Sequence, residues 1–231
     1  MKSVFVTGAS RGLGLEWVRQ YAEAGWRVYA SCRRPEEAAA LKGLADKHAG
    51  VSVHRLDVCD HAQLHTLQRA LNDVRIDVLI NNAGVYLDKF GGEFGAVDYD
   101  AWMSTFAVNT LGAMRVSETF VEQVARSENK LVVAITSHMG SIAEITAPGN
   151  YAYRSSKAAL NAAMKGLSWA LAERGIGVLL LHPGWVRTRM GGPDAPLTVE
   201  QSVAGMRALV EGFVPEMNGR FFRYNGTEIP W

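Results

Sequence analysis

The sequence predicts an α/β protein: a single doubly wound domain over residues 1–231, with a seven-stranded parallel sheet flanked by helices. Two observations predict it. Seven short apolar runs, at residues 3–6, 27–31, 51–56, 78–80, 131–135, 178–181 and 221–223, are separated by six helix-like stretches at 12–24, 36–48, 61–73, 99–127, 151–174 and 199–211. Most of the runs are near-continuous in Val, Ile and Leu rather than alternating, which suits strands covered on both faces. Regular alternation of strand and helix then implies right-handed crossovers.

Neither a low-complexity linker nor an internal repeat divides the chain. At 48% hydrophobic and 20% charged residues, 231 residues bury a large core without disulfides or a structural metal. Two irregular stretches stand out: 86–97, rich in glycine, and 187–198, with two prolines and two glycines. Loops of that length in an α/β domain are often functional. Ligands in this architecture bind beyond the carboxyl ends of the strands, where most of the motifs below fall.

Several function classes are excluded. A formal net charge of +1 without a basic block argues against a nucleic-acid or membrane-surface binder. No run of eighteen apolar residues occurs, and the first apolar run stops at Gly8, so a cytoplasmic location is expected. Cys32 and Cys59 are then expected as reduced thiols. His61 and His65 are four apart but have no third ligand, so no metal is expected. His138 beside Ser137 is not expected to form a nucleophile pair, because adjacent side chains diverge and no Gly-x-Ser-x-Gly turn exists.

The first strand runs directly into Thr7-Gly8-Ala9-Ser10-Arg11-Gly12-Leu13-Gly14, which opens the first helix. Glycines there permit a tight turn and let backbone N–H groups approach a pyrophosphate, so this reads as a Rossmann-type dinucleotide site. The second strand ends in Arg33-Arg34 with no carboxylate before Glu36. An acid at that place reads the ribose of NAD, whereas an arginine fork matches the 2′-phosphate of NADP(H). Arg33 together with Arg11 therefore predicts NADP(H). Leu56-Asp57-Val58 closes the third strand and places Asp57 and Val58 near the adenine, with Asp60 as the next helix cap. Asn82, Ala83 and Gly84 follow the fourth strand, the small residues leaving room for the adenine ribose and Asn82 tying strands together as well.

Tyr153 and Lys157 are four apart on one face of an Ala-rich helix. An adjacent ammonium favours the phenolate, which would make the phenol a usable acid and base near neutral pH. Tyr151 has no lysine four residues on. Ser137, just beyond the fifth strand, is placed to donate to a carbonyl oxygen gaining charge, with Ser141 as the rival hydroxyl. Asn109 interrupts a helical stretch; if buried it needs a partner, and a water leading towards Lys157 would supply one.

Taken together, Thr-Gly-x-x-x-Gly-x-Gly, Asn-Asn-Ala-Gly, Asn109, Ser137, Tyr-x-x-x-Lys and Pro183-Gly184 resemble the short-chain dehydrogenase/reductase family over the whole chain. Residues 151–161 and the ending Ile229-Pro230-Trp231 look like its C-factor and sniffer-type carbonyl reductase branch. The resemblance implies that Tyr153 is the acid/base, Lys157 holds the nicotinamide ribose and lowers the tyrosine pKa, Ser137 polarises the carbonyl, and Asn109 holds a relay water. It implies too that Pro183, Gly184, Val186 and Thr188 frame the nicotinamide. Ser137-x-x-Gly140 matches the family pattern better than Ser141 does.

The expected function is NADPH-dependent reduction of an aldehyde or ketone. Alcohol oxidation with NAD is the second enzymatic reading, opposed by Arg33; a sugar-nucleotide epimerase would need a larger substrate domain. A signalling or cofactor-sensing protein with little turnover is the alternative from another class. A homodimer through helices 99–127 and 151–174 is expected, with 187–198 as a lid hinged at Gly191 and Gly192. Met139, Trp185 and Met190 are candidates for the substrate pocket.

Overall fold

The computed structural model describes residues 1–89 and 94–231. Residues 90–93, part of the glycine-rich stretch marked in the sequence, lie outside the described residues. Strands β1 (Ser3–Val6), β2 (Arg27–Cys32), β3 (Val51–Arg55), β4 (Val78–Asn81), β5 (Leu131–Ile135), β6 (Gly177–His182) and β7 (Phe221–Arg223) form one sheet. Its order is β3-β2-β1-β4-β5-β6-β7, and every pairing is parallel. The winding direction reverses between β1 and β4, which leaves a crevice at their carboxyl ends.

Strand β1 shows why the apolar runs do not alternate. Val4 and Val6 face Trp17 and Tyr21 of α1 (Gly12–Glu23) and Val203 and Met206 of α7 (Val199–Glu211). Phe5, between them, turns to the opposite face, where it meets Phe120 of α5 (Ala113–Ala125) and Leu160 and Met164 of α6 (Tyr151–Ala170). Both faces of the strand are dry, so both sets of side chains are apolar. The Phe5 and Phe120 rings lie 4.7 Å apart. Phe120→Ala is expected to cost about 3–5 kcal/mol, read as a fall in the urea midpoint; a change below about 1 kcal/mol would contradict this packing.

The helices differ from expectation at their ends and in one interior. The stretch expected as helix 36–48 is a 3₁₀ turn, Pro35–Glu37, followed by α2 (Ala39–Lys47), with proline starting the first piece. Helix α3 (His61–Ala70) is capped by Asp60, whose carboxylate accepts from the Gln63 N–H at 3.0 Å. The expected single helix 99–127 is α4 (Tyr99–Phe106), a π-helical turn Ala107–Gly112, and α5. That turn carries buried Asn109 and Thr110, whose side chains bond outside their own helix, to Val85 and Ser156. Widening the helix aims those two polar groups at partners. Helix α6 gives way to a 3₁₀ turn, Ala172–Arg174, closed by Gly175.

Candidate active site

The carboxyl ends of the strands open into a cleft of about 1800 Å³. One end is walled by the loop between β1 and α1. Gly8 adopts φ +67°, and a Cβ there would sit 2.8 Å from Ala83 Cα. A Cβ on Gly14 would fall 2.3 Å from the Gly8 carbonyl oxygen. Only glycine lets this loop close against the start of α1 and the segment after β4. Asn82 ties the same two segments, its amide donating to the carbonyls of Thr7 at 2.8 Å and Gly8 at 3.3 Å.

The structure brings Gly8, Ser10, Arg11, Gly12, Leu13, Gly14, Arg33, Asp57, Val58, Asn82, Ala83 and Gly84 to the wall of this cleft, together with Tyr153, Lys157, Pro183 and Thr188. Gly184 and Val186 are not part of that wall among the described residues. A Cβ on Gly184 would collide with Leu197 and approach Tyr224, and buried Val186 bridges Leu197; both hold the turn after β6. One Asp57 oxygen accepts from the Cys59 N–H at 2.9 Å.

Beside the glycine loop the charge is one-sided. Burial, and then repulsion from Arg189, Arg33 and Arg34, lowers the Arg11 pKa. Arg34 is paired with Glu37 at 2.9 Å, and Arg55 takes Glu36 at 2.7 Å. Among the described residues, Arg11 and Arg33 form no ion pair. An anion of matching geometry relieves such repulsion. Arg189, on the loop after β6, was not foreseen; its partners come from distant segments, so no local pattern marks it.

At the other end, the first turns of α6 bring Tyr153 and Lys157 to the cleft. Lys157 is buried, and its Nζ donates to the Ile135 carbonyl at 2.9 Å and lies 5.9 Å from the Tyr153 ring centre. Burial pushes this ammonium down to about 8. Burial also pushes the Tyr153 phenol up to about 12, opposed by a hydrogen bond with Ser137 and reinforced by Tyr86 and Asp88. The phenol is therefore raised where a lowering was expected, with desolvation the largest cause.

Ser137 meets the phenol and also caps the turn His138–Gly140, accepting from the Met139 N–H at 3.2 Å. The rival Ser141 is engaged elsewhere, donating to the Trp231 carbonyl and accepting from the Glu144 N–H. His138 turns from Ser137 to His182, with ring nitrogens 3.1 Å apart. Asn109, expected to hold a relay water, bonds to protein groups. Its amide oxygen accepts from the Val85 N–H at 2.8 Å, and its nitrogen donates to the Val85 carbonyl and to Ser156 Oγ. Protein groups thus satisfy the side chain, where a water leading to Lys157 was expected.

The loop after β6 also departs from expectation. The Gly191 N–H donates to Thr188 Oγ1 at 3.0 Å, its carbonyl accepts from Trp185 Nε1 at 2.9 Å, and a Cβ there would fall 2.0 Å from the Val186 carbonyl. Gly191 is a packed turn rather than the expected hinge. Of the three pocket candidates Met190 lines the cleft. Tyr86 and Asp88 line it as well, and both contact the start of α6. Sequence marked the stretch 86–97 that holds them but assigned neither residue a role, since their partners lie more than sixty residues away. Among the described residues there is no metal-binding cluster, and no helix is long and apolar enough to cross a membrane. Cys32 and Cys59 are free.

Comparison with known proteins agrees with this geometry. The family described as short chain dehydrogenase matches residues 2–196. C-signal of Myxococcus xanthus is 48% identical over 156 residues, covering 68% of this chain and 93% of that protein. The carbonyl reductase Sniffer of D. melanogaster superposes with a TM-score of 0.92 at 31% identity, covering 100% of both chains. An NADPH-bound carbonyl reductase from chicken fatty liver superposes with a TM-score of 0.91 at 30% identity, covering 100% of this chain and 99% of the other. With its glycine loop, Tyr153 and Lys157 set along one cleft and its family match over residues 2–196, this chain belongs to the short-chain dehydrogenase family.

Proposed function

We propose that this chain is an NADP(H)-dependent oxidoreductase that reduces an aldehyde or ketone to an alcohol, with Tyr153 as general acid/base. One observation carries the proposal: Tyr153, bonded to Ser137, and buried Lys157 line the same cleft as Arg11 and Arg33, which form no ion pair among the described residues. The cradle fits a phosphorylated dinucleotide, because Gly8 and Gly14 have no room for a side chain and Arg11 and Arg33 beside them form no ion pair among the described residues. Arg11 and Arg33 would hold the 2′-phosphate, Asp57 and Val58 the adenine end, and Ala83 and Gly84 the adenine ribose. Pro183 and Thr188 would frame the nicotinamide, which when bound supplies the hydride, with Gly184 and Val186 holding the turn that carries them.

The chain's own residues do the rest. Ser137 donates to the substrate oxygen as negative charge grows on it. Tyr153 gives that oxygen its proton, and a phenol held well above neutral pH stays protonated for the task. Lys157, with one N–H spent on Ile135, has two donors left for the nicotinamide ribose and the phenol. Asn109 supports Lys157 by fixing Val85 and Ser156 beside it. Tyr86, Leu87, Tyr151 and Met190 give the substrate end a largely apolar wall suited to small carbonyl compounds. Incubation with NADPH and a panel of aldehydes and ketones tests the reading; the absence of turnover with every member would defeat it.

Likeness to C-signal favours a second reading, a signalling or sensing protein of this fold with little turnover. The same panel separates the two. The whole chain acts as one dinucleotide-binding domain in either case, and its free thiols suit a cytoplasmic setting. A homodimer is proposed through the 99–127 helices α4 and α5 and through α6, of which α4 and α6 expose Tyr99, Met103 and Trp169 at 70%, 70% and 74%. Light scattering should give twice the chain mass; a monomeric mass at micromolar concentration would contradict it.

A further inference from the structure

Helix α6, which carries Tyr153, begins without a cap of its own. Asn150 precedes it in the left-handed region, with φ +55°, and makes no side-chain cap bond. The cap comes from sixty-four residues up the chain. The Asp88 carboxylate accepts from the Ala152 N–H at 2.9 Å and from the N–H of Tyr153 itself at 3.3 and 3.4 Å. Two residues before Asp88, Tyr86 stacks on the Tyr153 ring, with centroids 4.1 Å apart and planes 19° from parallel. Its hydroxyl donates to Asn150 Oδ1 at 2.6 Å, which steadies the left-handed residue at the helix start. One short segment after β4 therefore grips the ring, the backbone and the entry residue of the tyrosine.

We propose that Tyr86 and Asp88 are positioning residues that fix Tyr153 for proton donation, and that the Asp88 charge biases the site towards carbonyl reduction over alcohol oxidation. The inference rests on the reading of Tyr153 as acid/base. A carboxylate at a helix N-terminus is favoured by the dipole and by the free N–H groups, so the charge is held where it is. Held there, it opposes a second negative charge on the phenol. The other groups facing the phenol are the Ser137 hydroxyl from the turn after β5 and the Lys157 ammonium from α6, with Arg154 of α6 acting on Tyr86. Burial pushes the phenol up most, Ser137 pulls it down, and Tyr86 and Asp88 push it up further. Reduction needs the protonated phenol and oxidation the phenolate. Removing the Asp88 charge should therefore move the loss of reductive kcat at high pH to lower pH, and raise the oxidative rate at a given pH.

The test uses the full chain labelled with ¹³C at the tyrosine Cζ, with Tyr153→Phe identifying the signal of Tyr153. Asp88→Asn keeps an oxygen able to accept an N–H but loses the charge. In that variant the Tyr153 titration should fall by about 0.5–1 pH unit, and the basic limb of reductive kcat should follow it. KM for the carbonyl substrate should stay within about twofold. Asp88→Ala, which also loses the cap, should lower kcat about tenfold or more. An unchanged Tyr153 titration in folded Asp88→Asn would overturn the charge bias, and wild-type kcat in folded Asp88→Ala would overturn the positioning role. A purely structural cap would lower stability in both variants and leave the titration where it was. A wild-type chain inert towards every carbonyl would count against the proposed function, while the NMR titration would still decide the effect of Asp88 on the phenol.

Discussion

Tyr153→Phe is expected to lower kcat for carbonyl reduction by about 10²–10⁴-fold while leaving NADPH affinity within about threefold of wild type. In the mechanism proposed the phenol transfers its proton to the substrate oxygen, while Ser137 donates only a hydrogen bond to it. Phenylalanine keeps the ring that stacks on Tyr86 at 4.1 Å, so the wall of the cleft survives the change. Lys157→Ala should lower both kcat and cofactor affinity, since Lys157 is assigned to the ribose and to the phenol, and it leaves the Ile135 carbonyl without its donor. Tyr151→Phe should matter far less, because that ring stacks on Trp102 at 6.4 Å and the hydroxyl has no assigned role. A Tyr151→Phe loss larger than that of Tyr153→Phe, in steady-state assays with the same aldehyde, would show that the wrong tyrosine has been assigned.

The second large effect concerns the cofactor. A charge-assisted contact from Arg33 to a phosphate is worth about 1.5–3 kcal/mol, which is about 10- to 150-fold in affinity. NADPH should bind more tightly than NADH by that factor in fluorescence titration, and Arg33→Asp should abolish or reverse the preference. The structure sharpens this. Arg34 and Arg55 are already satisfied by Glu37 and Glu36, whereas Arg11 and Arg33 have no anion among the described residues. Arg34→Ala should therefore cost selectivity much less than Arg33→Asp. Equal dissociation constants for NADPH and NADH in the wild-type chain would remove the arginines from this role.

The sheet was legible because its burial is two-sided. Val4, Phe5 and Val6 are all apolar for the reason that successive residues pack into different cores, so a continuous run announced a covered parallel strand. Positions dictated by backbone space were legible too, for Gly8 and Gly14 leave no room for a Cβ whatever occupies the cleft. The π-helical turn at Ala107–Gly112 was not legible. Its composition reads as helix, and the partners of its two buried polar side chains, Val85 and Ser156, lie far away in sequence. Gly191 misled in the opposite way, since the glycine read as a hinge serves close packing against the Val186 carbonyl. Tyr86 and Asp88 escaped because a cap normally precedes its own helix, and this one is delivered from another segment. The pairing of Tyr153 with Lys157 was correctly placed on one helix. The direction of the phenol's shift was not, because burial, which sequence spacing does not report, is its largest cause.

The central claim is that this cleft delivers a hydride and a proton to a carbonyl group, with Tyr153 supplying the proton. A single-turnover reaction with NADPH deuterated at the nicotinamide C4 position, followed by mass analysis of the alcohol, tests it most directly. The account predicts one deuterium on the carbinol carbon for wild type, and a yield in the same time window lower by about 10²–10⁴-fold for Tyr153→Phe. Alcohol without the label, or equal yields from the two proteins, would contradict it.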